Sequence, residues 1–561
     1  MEFEAQRLAS PTLLWATDPA LVPTLLRDYA FCKPLPGDPE AAFLSETRTF
    51  AGERYGGAHA AYNGGGVRCG EANGLSIKGI GQNALVGSST STDFFHSYGG
   101  ASLNEGIAET VWGEVANLAL PFGGVRVLGL IDTGTRVPLM LAPEDIDPTT
   151  KRALIIRHAT PRAAHFMRAV YYSPSALMKR AVSDTERTRA AIGAIGETFN
   201  ALYGGAPVDK LDPDYLNECL LQTFQRYAAQ IAAARSKRIM HSAITDSNMT
   251  LDGSWLDFAT ATTVYDYGRI YAAPFSPDFT QEGANMNQII TDLLFYLKKY
   301  LPNNRGARIL NPQQLIGHYR RYFNQRLAAE FIKLFGASEQ RTERIDTQVV
   351  QMLYATLCDI RDAGNHLVHT VWSDDPGDRH EMPEQTGAFH LNTILSDLAL
   401  CASPTQADEV LRSSLPDNGL RGALVDRYWR FRSALLSQFP VSGRRNAQIF
   451  LALNSLRLNR RFQEIHRHDL YRAIYSVVVN DGDVEAFVNG IVHKARTAFS
   501  EIENGCVDIS AWFDRAGTLS EQDGIMLDGK PVSLQYALTE LRPGILDERQ
   551  KQLLAAHLEL S

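Results

Sequence analysis

An abrupt change in amino-acid composition and hydrophobic pattern along the chain is the feature that most constrains its fold. Residues 50–105 are rich in Gly, Ser and Thr, with short apolar pieces between them, as in hairpins and loops near a ligand. A helical pattern from about Asn104 to Leu120 and a strand pattern ending at Asp132 follow. From about Ala163 the pattern is that of amphipathic helices, and the last half of the chain reads as helix and loop. The sequence predicts an α+β fold with a small β-rich part and a large helical remainder.

Length and charge exclude several classes of protein. A chain of 561 residues is too long for one hydrophobic core. Its net charge is −8, and no long block of like charge occurs, so we expect no nucleic-acid partner. The N-terminal residues include acids rather than the basic cluster of a signal peptide, no apolar run is long enough to span a bilayer, and the six cysteines form no CxxC pair. These features predict a soluble, cytoplasmic protein without a membrane partner.

Residues 241–258, HSAITDSNMTLDGSWLDF, contain the spacing of a candidate metal site. A turn at Gly253 would bring Asn248 close to Asp257. Magnesium bound to nucleotide phosphates needs only one or two protein oxygen ligands, so an Asn and an Asp suffice. The alternative is an ordinary polar turn, because Asp and Asn are frequent turn residues for local reasons.

A lysine and a glutamate upstream favour the metal site over the polar turn. Lys78 interrupts the short apolar strand GLSIKGIG, and Glu109 lies 31 residues later on the predicted helix. A strand lysine that contacts phosphates and is positioned by a helix glutamate is a recurring device of kinase-like folds. The alternative is a solvent-facing lysine and an unrelated surface glutamate.

Glycines and arginines supply further candidate phosphate contacts. Gly64, Gly65 and Gly66 could form a turn whose backbone N–H groups approach phosphates, or an ordinary loop. In the segment IIRHATPRAAHFMRA, guanidinium groups suited to phosphate oxygens occur within twelve residues, or they form a basic solvated helix face. The arginines concerned are Arg157, Arg162 and Arg168.

Taken in order, these pieces resemble a known family over roughly residues 40–300. The segments YGGAHAAY, GGGVR, KGIG, ASLNEGIAE, RHATPRAAHFMR and HSAITDSNMTLDGSWLDFA follow one another as the matching motifs do in the SelO (selenoprotein O) family. Members of that family are protein-kinase-like enzymes that transfer AMP from ATP to protein hydroxyls. The register of ASLNEGIAE selects Glu109 rather than Glu105 or Glu114 as the helix glutamate.

The resemblance implies a role for each matched position, with ATP and Mg²⁺ as cofactors. Lys78 would contact the phosphates and Glu109 would hold Lys78; Gly64, Gly66, Arg68 and Gly99 would form the nucleotide loops; Arg157 and Arg168, with Arg162 competing, would hold the γ-phosphate; Asn248 and Asp257 would coordinate Mg²⁺.

The sequence also departs from the family where the catalytic base is expected. Ser247 stands at the position of the family's catalytic Asp, and the nearest carboxylate, Asp246, comes one residue earlier. A shift of one residue on an extended backbone turns the side chain to the opposite face, so Asp246 would act as base only if the local turn differs. Tyr98 stands where the second glycine loop of the family has Asp.

The resemblance implies a bilobal, protein-kinase-like fold with additional C-terminal helices. We expect an N-lobe at residues 1–135, a C-lobe with the catalytic and metal-binding loop at 136–300, and a helical region at 301–561. The expected activity is Mg²⁺- and ATP-dependent transfer of AMP to a protein or peptide acceptor. The alternatives are an enzyme that forms acyl-adenylates on a peptide or small molecule, and a nucleotide-binding pseudokinase scaffold.

The histidines of the C-terminal half suggest a metal site or a kinase-like HRD loop only superficially. They lack ligand partners at typical spacing and a following Asn, so we interpret them as surface or interface residues. They are His366, His369, His380 and His390, and the segment HRHDL at residues 466–470.

Overall fold

The computed structural model describes residues 2–57, 64–82, 98–138, 149–169, 183–271, 278–364, 368–370 and 390–559. The chain is of the mixed α+β class, as the sequence predicts. An eight-stranded antiparallel sheet is formed by the N-terminal part, with the strands in the lateral order β2-β7-β8-β6-β5-β4-β1-β3. These strands are β1 (Glu2–Leu8), β2 (Thr12–Ala16), β3 (Phe31–Cys32), β4 (Phe43–Tyr55), β5 (Gly64–Ala72), β6 (Leu75–Lys78), β7 (Val127–Pro138) and β8 (Thr149–His158).

Helices dominate the rest of the chain. Those of the described residues are α1 (Val22–Tyr29), α2 (Leu103–Ala119), α3 (Asp184–Gly193), α4 (Ile195–Tyr203), α5 (Pro213–Ser236), α6 (Met286–Tyr300), α7 (Pro312–Lys333), α8 (Glu339–Thr342), α9 (Thr347–Gly364), α10 (Leu391–Leu400), α11 (Pro404–Leu411), α12 (Asn418–Ser437), α13 (Arg444–Asn459), α14 (Arg467–Val479), α15 (Val484–Phe499), α16 (Leu534–Glu540) and α17 (Glu548–Glu559).

Short strands complete the fold. A two-stranded pair, β9 (Ile239–Met240) and β10 (Thr262–Thr263), brackets the predicted metal-binding segment. A parallel pair joins β11 (Arg269–Tyr271) to β12 (Val368–Thr370). Near the C-terminus an antiparallel meander contains β13 (Cys506–Asp508), β14 (Gly517–Ser520), β15 (Gly524–Leu527) and β16 (Lys530–Val532).

Helix α2 lies almost completely inside the molecule. Its first turn is capped by Ser102, whose hydroxyl accepts from the Glu105 N–H at 3.1 Å. One side packs on β7 and β8, and α14 and α15 from the C-terminal half pack against it as well. Ile107, Val111 and Val115 are all buried in the largest hydrophobic cluster. The predicted helix is therefore confirmed, and elements from both the N-terminal sheet and the C-terminal half hold it in position.

Several local expectations were wrong. The segment after Ala163 forms one short 3₁₀ turn, Ala163–Phe166, instead of a long helix, although the predicted stretch extends into residues 170–182, which lie outside the described part. The C-terminal half contains the β13–β16 meander, whose short strands alternate too briefly to be recognised from the sequence. The expected domain boundary after residue 135 falls inside β7, and the sheet continues through β8 to His158.

Across the residues that the structure describes, no helix combines the length and the apolar character needed to cross a membrane.

Candidate active site

Lys78 lies at the centre of a cluster of three carboxylates. Its Nζ atom lies 2.7 Å from Glu105 Oε1, 2.7 Å from Glu109 Oε1 and 2.8 Å from Asp257 Oδ1. Lys78 is the last residue of β6, the two glutamates lie one turn apart on α2, and Asp257 comes from the segment between β9 and β10. The contact between Lys78 and Glu109 expected from the sequence is present, and Glu105 joins it.

The charges of this cluster shift the pKa values of its members. Burial opposes the charge on Lys78, but the three carboxylates outweigh it and raise the pKa of Lys78 well above its ordinary value. Burial raises the pKa of Glu109, and Lys78 and Arg157 offset this only in part. For Asp257, burial is outweighed by Lys78 and Arg68, which lower the pKa of this carboxyl below its ordinary range. Asp257 therefore stays ionised at neutral pH.

A hairpin brings Asn248 alongside Asp257. The carbonyl of Asn248 accepts from the Leu256 N–H at 3.2 Å, and Met249 pairs with Trp255 in a β-bridge. The turn passes through Gly253, whose φ of +101° lies in the region that favours glycine. The hairpin is thus of the kind that the spacing of the segment predicts, and it places the two proposed metal ligands on its two strands.

The side chains of the hairpin suit Mg²⁺ by their chemistry. Asn248 Nδ2 donates to the Ala243 carbonyl at 3.0 Å, which leaves the amide oxygen as the group available to a ligand. Lys78 contacts only Oδ1 of Asp257, and 38% of the Asp257 side chain is exposed. One amide oxygen and one accessible carboxylate meet the usual protein contribution to a phosphate-bound Mg²⁺. The three clustered carboxylates themselves surround Lys78 Nζ, so they are first of all a cradle for the ammonium group.

The three candidate arginines occupy different positions. Arg157 is buried on β8, and its NH1 group donates to Glu109 Oε2 at 3.0 Å. Arg162 is buried between Glu53 of β4 and the backbone of the hairpin segment, where NH1 donates to the Ser247 carbonyl at 2.8 Å. Both guanidinium groups therefore have protein partners. Arg168 is half-buried, and its Nε has no hydrogen-bond partner among the described residues.

The glycine segment is a strand rather than the turn that the sequence suggested. Gly64 pairs with Tyr55 and Gly66 pairs with Glu53 across β4 and β5, and residues 58–63, between these strands, lie outside the described part. At Gly66, φ is +57°, where the strand register shifts. Burial opposes the charge on Arg68 of the same strand, but nearby negative groups, Glu105 foremost and Asp257 among them, outweigh it and raise the pKa of Arg68.

Gly99 lies against the backbone of Gly81 so closely that any side chain would collide with it. Its φ of +86° also favours glycine. The described contacts explain this glycine by close packing of two backbone segments. They do not bear on its expected role in a nucleotide loop.

Asp246 and Ser247 face different surroundings. Asp246 is buried, and its carboxylate lies against Gly57, where a Cβ atom would overlap it. Ser247 is half-buried, and its hydroxyl lies 3.0 Å from Thr245 Oγ1 and 3.5 Å from Asn248 Oδ1. The Ser247 side chain therefore shares the face of Asn248, whereas Asp246 points into the packing beside the end of β4.

Glu105 is the contact that the family register did not select. It lies four residues before Glu109, and residues with that spacing share one face of a helix. The spacing alone was therefore sufficient to include it. Arg162 and its partner Glu53 are a second addition, and no sequence signal joins residues that are 109 positions apart.

If the site has the ATP-dependent activity that the sequence predicts, we expect Glu109→Gln to lower its kcat/KM roughly tenfold more than Glu105→Gln does. Glu109 is buried and pairs with both Lys78 and Arg157, so its loss takes a carboxylate from Lys78 and leaves Arg157 without its described ion-pair partner. Glu105 contacts Lys78 alone, and 16% of its side chain is exposed. Steady-state kinetics of both variants, with ATP as the varied substrate, measures the difference. Equal losses in the two variants would contradict the assignment of Glu109 as the positioning residue.

A second buried carboxyl holds the start of the hairpin segment. Glu282 Oε1 accepts from the Ser242 N–H at 2.5 Å, and Ser242 has a φ of +64°. Burial raises the pKa of Glu282 to about 7, and the charge of Arg235 offsets this only in part. The loop before Asn248 is therefore tied to a group that titrates near neutral pH.

Because its folded-state pKa is raised, Glu282 binds a proton in the folded protein at pH values where the unfolded chain has released it. We expect the free energy of unfolding to fall as pH rises from about 4.5 to about 7, by at most roughly 3 kcal/mol. Glu282→Gln should remove this slope and raise the stability at pH 8, as measured by urea unfolding across pH. Glu218→Gln, at an exposed position of α5, is the control and should retain the slope. An unchanged slope in Glu282→Gln would show that another group is responsible.

The candidate histidines of the C-terminal half do not assemble into a site within the described residues. His390 Nδ1 lies 3.4 Å from Asp266 and His466 Nδ1 lies 3.7 Å from Asp469. His366, His380 and the side chain of His369 lie outside the described part.

Comparison with known proteins does not assign the chain to a family. No protein-family model matches the chain, and no curated protein matches it. The site therefore rests on its own geometry, and the SelO resemblance stays a prediction from the sequence.

Proposed function

We propose that this protein is a kinase-like, ATP- and Mg²⁺-dependent adenylyltransferase that moves AMP from ATP to a protein or peptide acceptor. The observation that carries the proposal is the meeting of Lys78, Glu109 and Asp257 within 2.8 Å contacts, beside Asn248 on the same hairpin. These are the positions that the SelO-like order of motifs assigns to nucleotide phosphates and metal.

The side-chain charges of the site cancel, so a bound divalent cation would give it the net positive charge that suits a phosphate ligand. Lys78, Arg68 and Arg157 supply three positive charges around the carboxylates Glu105, Glu109 and Asp257. A phosphate group approaching Lys78 would replace the contact with Asp257 Oδ1 and leave that carboxylate for the cation. Bound Mg²⁺ supplies neutralisation of the charge that develops on the phosphates. Glu109 keeps the ammonium of Lys78 in place throughout.

The proposed transfer of AMP is a displacement at the α-phosphorus of ATP. The acceptor oxygen attacks the α-phosphorus, the bond from the α-phosphorus to the bridging oxygen breaks, and pyrophosphate leaves with that electron pair. Where the acceptor is a hydroxyl, its proton passes to the departing pyrophosphate. Lys78 and Arg68 stabilise the charge on the departing group, and positioning with charge neutralisation provides most of the acceleration. Arg168, with its Nε lacking a described partner, is our candidate for a contact to the outer phosphates.

One observation favours a second candidate function. A hydroxyl acceptor must lose a proton, but the carboxylate of Asp246 is buried against Gly57, and its half-buried neighbour Ser247 has no carboxylate. A carboxylate acceptor carries no proton at neutral pH, so attack of its oxygen on the α-phosphorus yields an acyl-adenylate and pyrophosphate without a base. The same site would then activate a carboxylic acid for formation of an amide or ester.

Labelled ATP distinguishes these functions. The purified protein is incubated with Mg²⁺ and ATP that carries the label at either the α- or the γ-phosphate, together with a bacterial or eukaryotic protein lysate. Protein labelled from α-ATP but not from γ-ATP supports AMP transfer. Pyrophosphate exchange into ATP that depends on an added carboxylic acid supports acyl-adenylate formation. ATP binding with neither product would indicate a scaffold, and the absence of Mg²⁺-dependent ATP binding would refute the proposal.

A further inference from the structure

A cavity separate from the Lys78 cluster is lined mainly by residues of the C-terminal half. Its volume is about 440 Å³, within the range of small-molecule sites. It lies between the end of α7, the segment around α8, helix α13, and the connection from α15 to β13. None of the residues of the Lys78 cluster lines it.

Arg457 of α13 is the deepest charged group of this cavity. It is 3% exposed, and its guanidinium donates to Asn454 Oδ1 at 2.8 Å and to the carbonyls of Thr497 at 2.8 Å and Ser500 at 3.0 Å. All three acceptors are neutral, and a guanidinium has five N–H groups. Within the described residues no carboxylate forms an ion pair with Arg457. Burial lowers the pKa of Arg457 to about 10, which the more distant charges of Glu501 and Asp508 offset only in part, so Arg457 remains charged at neutral pH.

The carboxylates of the lining are already neutralised. Glu330 and Glu339 lie 2.8 Å and 3.2 Å from Lys333 Nζ, and both also pair with Arg326, which is outside the lining. Lys237 Nζ lies 2.9 Å from Glu501. The last lining carboxylate, Glu521, accepts from Arg341 Nε at 2.7 Å. Arg344 also lines the cavity and has no carboxylate partner among the described residues. The four carboxylates thus have four ion-pair cations, Lys333, Arg326, Lys237 and Arg341, and the excess of positive charge is located on Arg457 and Arg344.

A hydroxyl in the same wall provides a second, independent indication of a ligand. Ser500 Oγ is buried and has no hydrogen-bond partner among the described residues. Burying a hydroxyl without a partner costs about 1–3 kcal/mol, which makes an orphaned group beside a polar cavity a candidate ligand contact. Ser500 is also the residue whose carbonyl receives a hydrogen bond from Arg457.

We propose that this cavity binds a small anionic metabolite through its carboxylate or phosphate group, with Arg457 and Arg344 as the cations that recognise it. Buried or half-buried guanidinium groups bind such oxyanions strongly because the hydrogen bonds are charge-assisted. Ser500 Oγ supplies a further hydrogen bond. The site is independent of the proposed adenylyl transfer.

Calorimetric titration of the full chain with inorganic phosphate, citrate and glucose tests the proposal. We expect saturable one-site binding of phosphate or citrate and none of glucose. Arg457→Gln should weaken the binding about tenfold or more, and Arg344→Gln, an exposed position, roughly threefold. Arg430 lies on α12 outside the cavity, so Arg430→Gln should leave the affinity for the anion unchanged. Asp257→Asn, at the Lys78 cluster, should also leave it unchanged.

Arg457 also ties α13 to the end of α15, so the Arg457→Gln variant needs a test of folding. Circular dichroism provides that test. If it does not fold, the exposed Arg344→Gln variant decides. Absence of saturable binding of both anions would overturn the proposal. Binding that Arg344→Gln and every folded Arg457 variant leave intact would overturn it too. A change of affinity in Asp257→Asn would also overturn it, since the anion would then occupy the Lys78 cluster.

Discussion

Asp257→Asn is expected to reduce AMP transfer by on the order of 10³-fold. The substitution keeps the shape of the side chain but removes the charge of the accessible carboxylate that the proposal assigns to Mg²⁺. Lys78 retains Glu105 and Glu109 as partners at 2.7 Å, so we expect the variant to fold. The measurement is the rate of label incorporation from α-labelled ATP at saturating Mg²⁺, together with a thermal unfolding curve.

Asp252→Asn is the matched control, because Asp252 belongs to the same hairpin but lies at its tip. There its carboxylate accepts from the Ser254 N–H at 3.3 Å and stabilises the turn. We expect it to change activity by less than about tenfold. If both variants lost activity equally, disturbance of the hairpin would explain the result. Full activity in Asp257→Asn would refute the assignment of Asp257 as a metal ligand.

Lys78→Met should lower the free energy of unfolding by about 3–5 kcal/mol at pH 7 and abolish Mg²⁺-dependent ATP binding. The change removes the ammonium group and leaves Glu105, Glu109 and Asp257 close together, with their oxygens within 4.8 Å of one another. Like charges at that distance raise one another's pKa values. The variant should therefore gain stability as pH falls from 7 to 5, because its folded state takes up protons that the unfolded chain does not bind.

In the unmodified protein, Asp257 has the opposite dependence. The pKa of Asp257 is lowered in the folded state, so its contribution is present above the pKa of the unfolded chain and is lost as pH falls below it. Lys151→Met is the control: this lysine of β8 is partly exposed and pairs with Asp132 and Asp481, and its loss should cost about 0–1 kcal/mol. Urea unfolding at pH 5 and 7 measures both variants. A pH-independent loss in Lys78→Met would contradict the mechanism.

The contacts that the sequence predicted are those encoded by local spacing. The turn at Gly253 and the separation of Asn248 from Asp257 are enough to define a hairpin, and the structure has one. The helix from Leu103 to Ala119 follows from its cap and its apolar residues. Glu105 could have been included on the same basis, because the spacing of four residues was visible.

The contacts that the sequence did not predict join segments far apart in the chain. Arg162 takes Glu53 as its partner across 109 positions, so it ties β4 to the hairpin segment. Asp246 turns inward because Gly57 leaves room for its carboxylate. Neither arrangement has a local signature, since each depends on which backbone lies next to the side chain.

By itself, the sequence determined the α+β class, the hairpin with Asn248 and Asp257, and the helix that presents Glu109 to Lys78. These follow from periodicity, capping and turn chemistry, which act within a few residues. Only the tertiary structure decided that Asp246 is buried, that Arg157 and Arg162 have protein partners, and that α14 and α15 pack on α2. The cavity around Arg457 also belongs to this group. Burial and long-range ion pairing depend on the whole packed chain, because the cost of desolvating a charge is set by the segments that surround it.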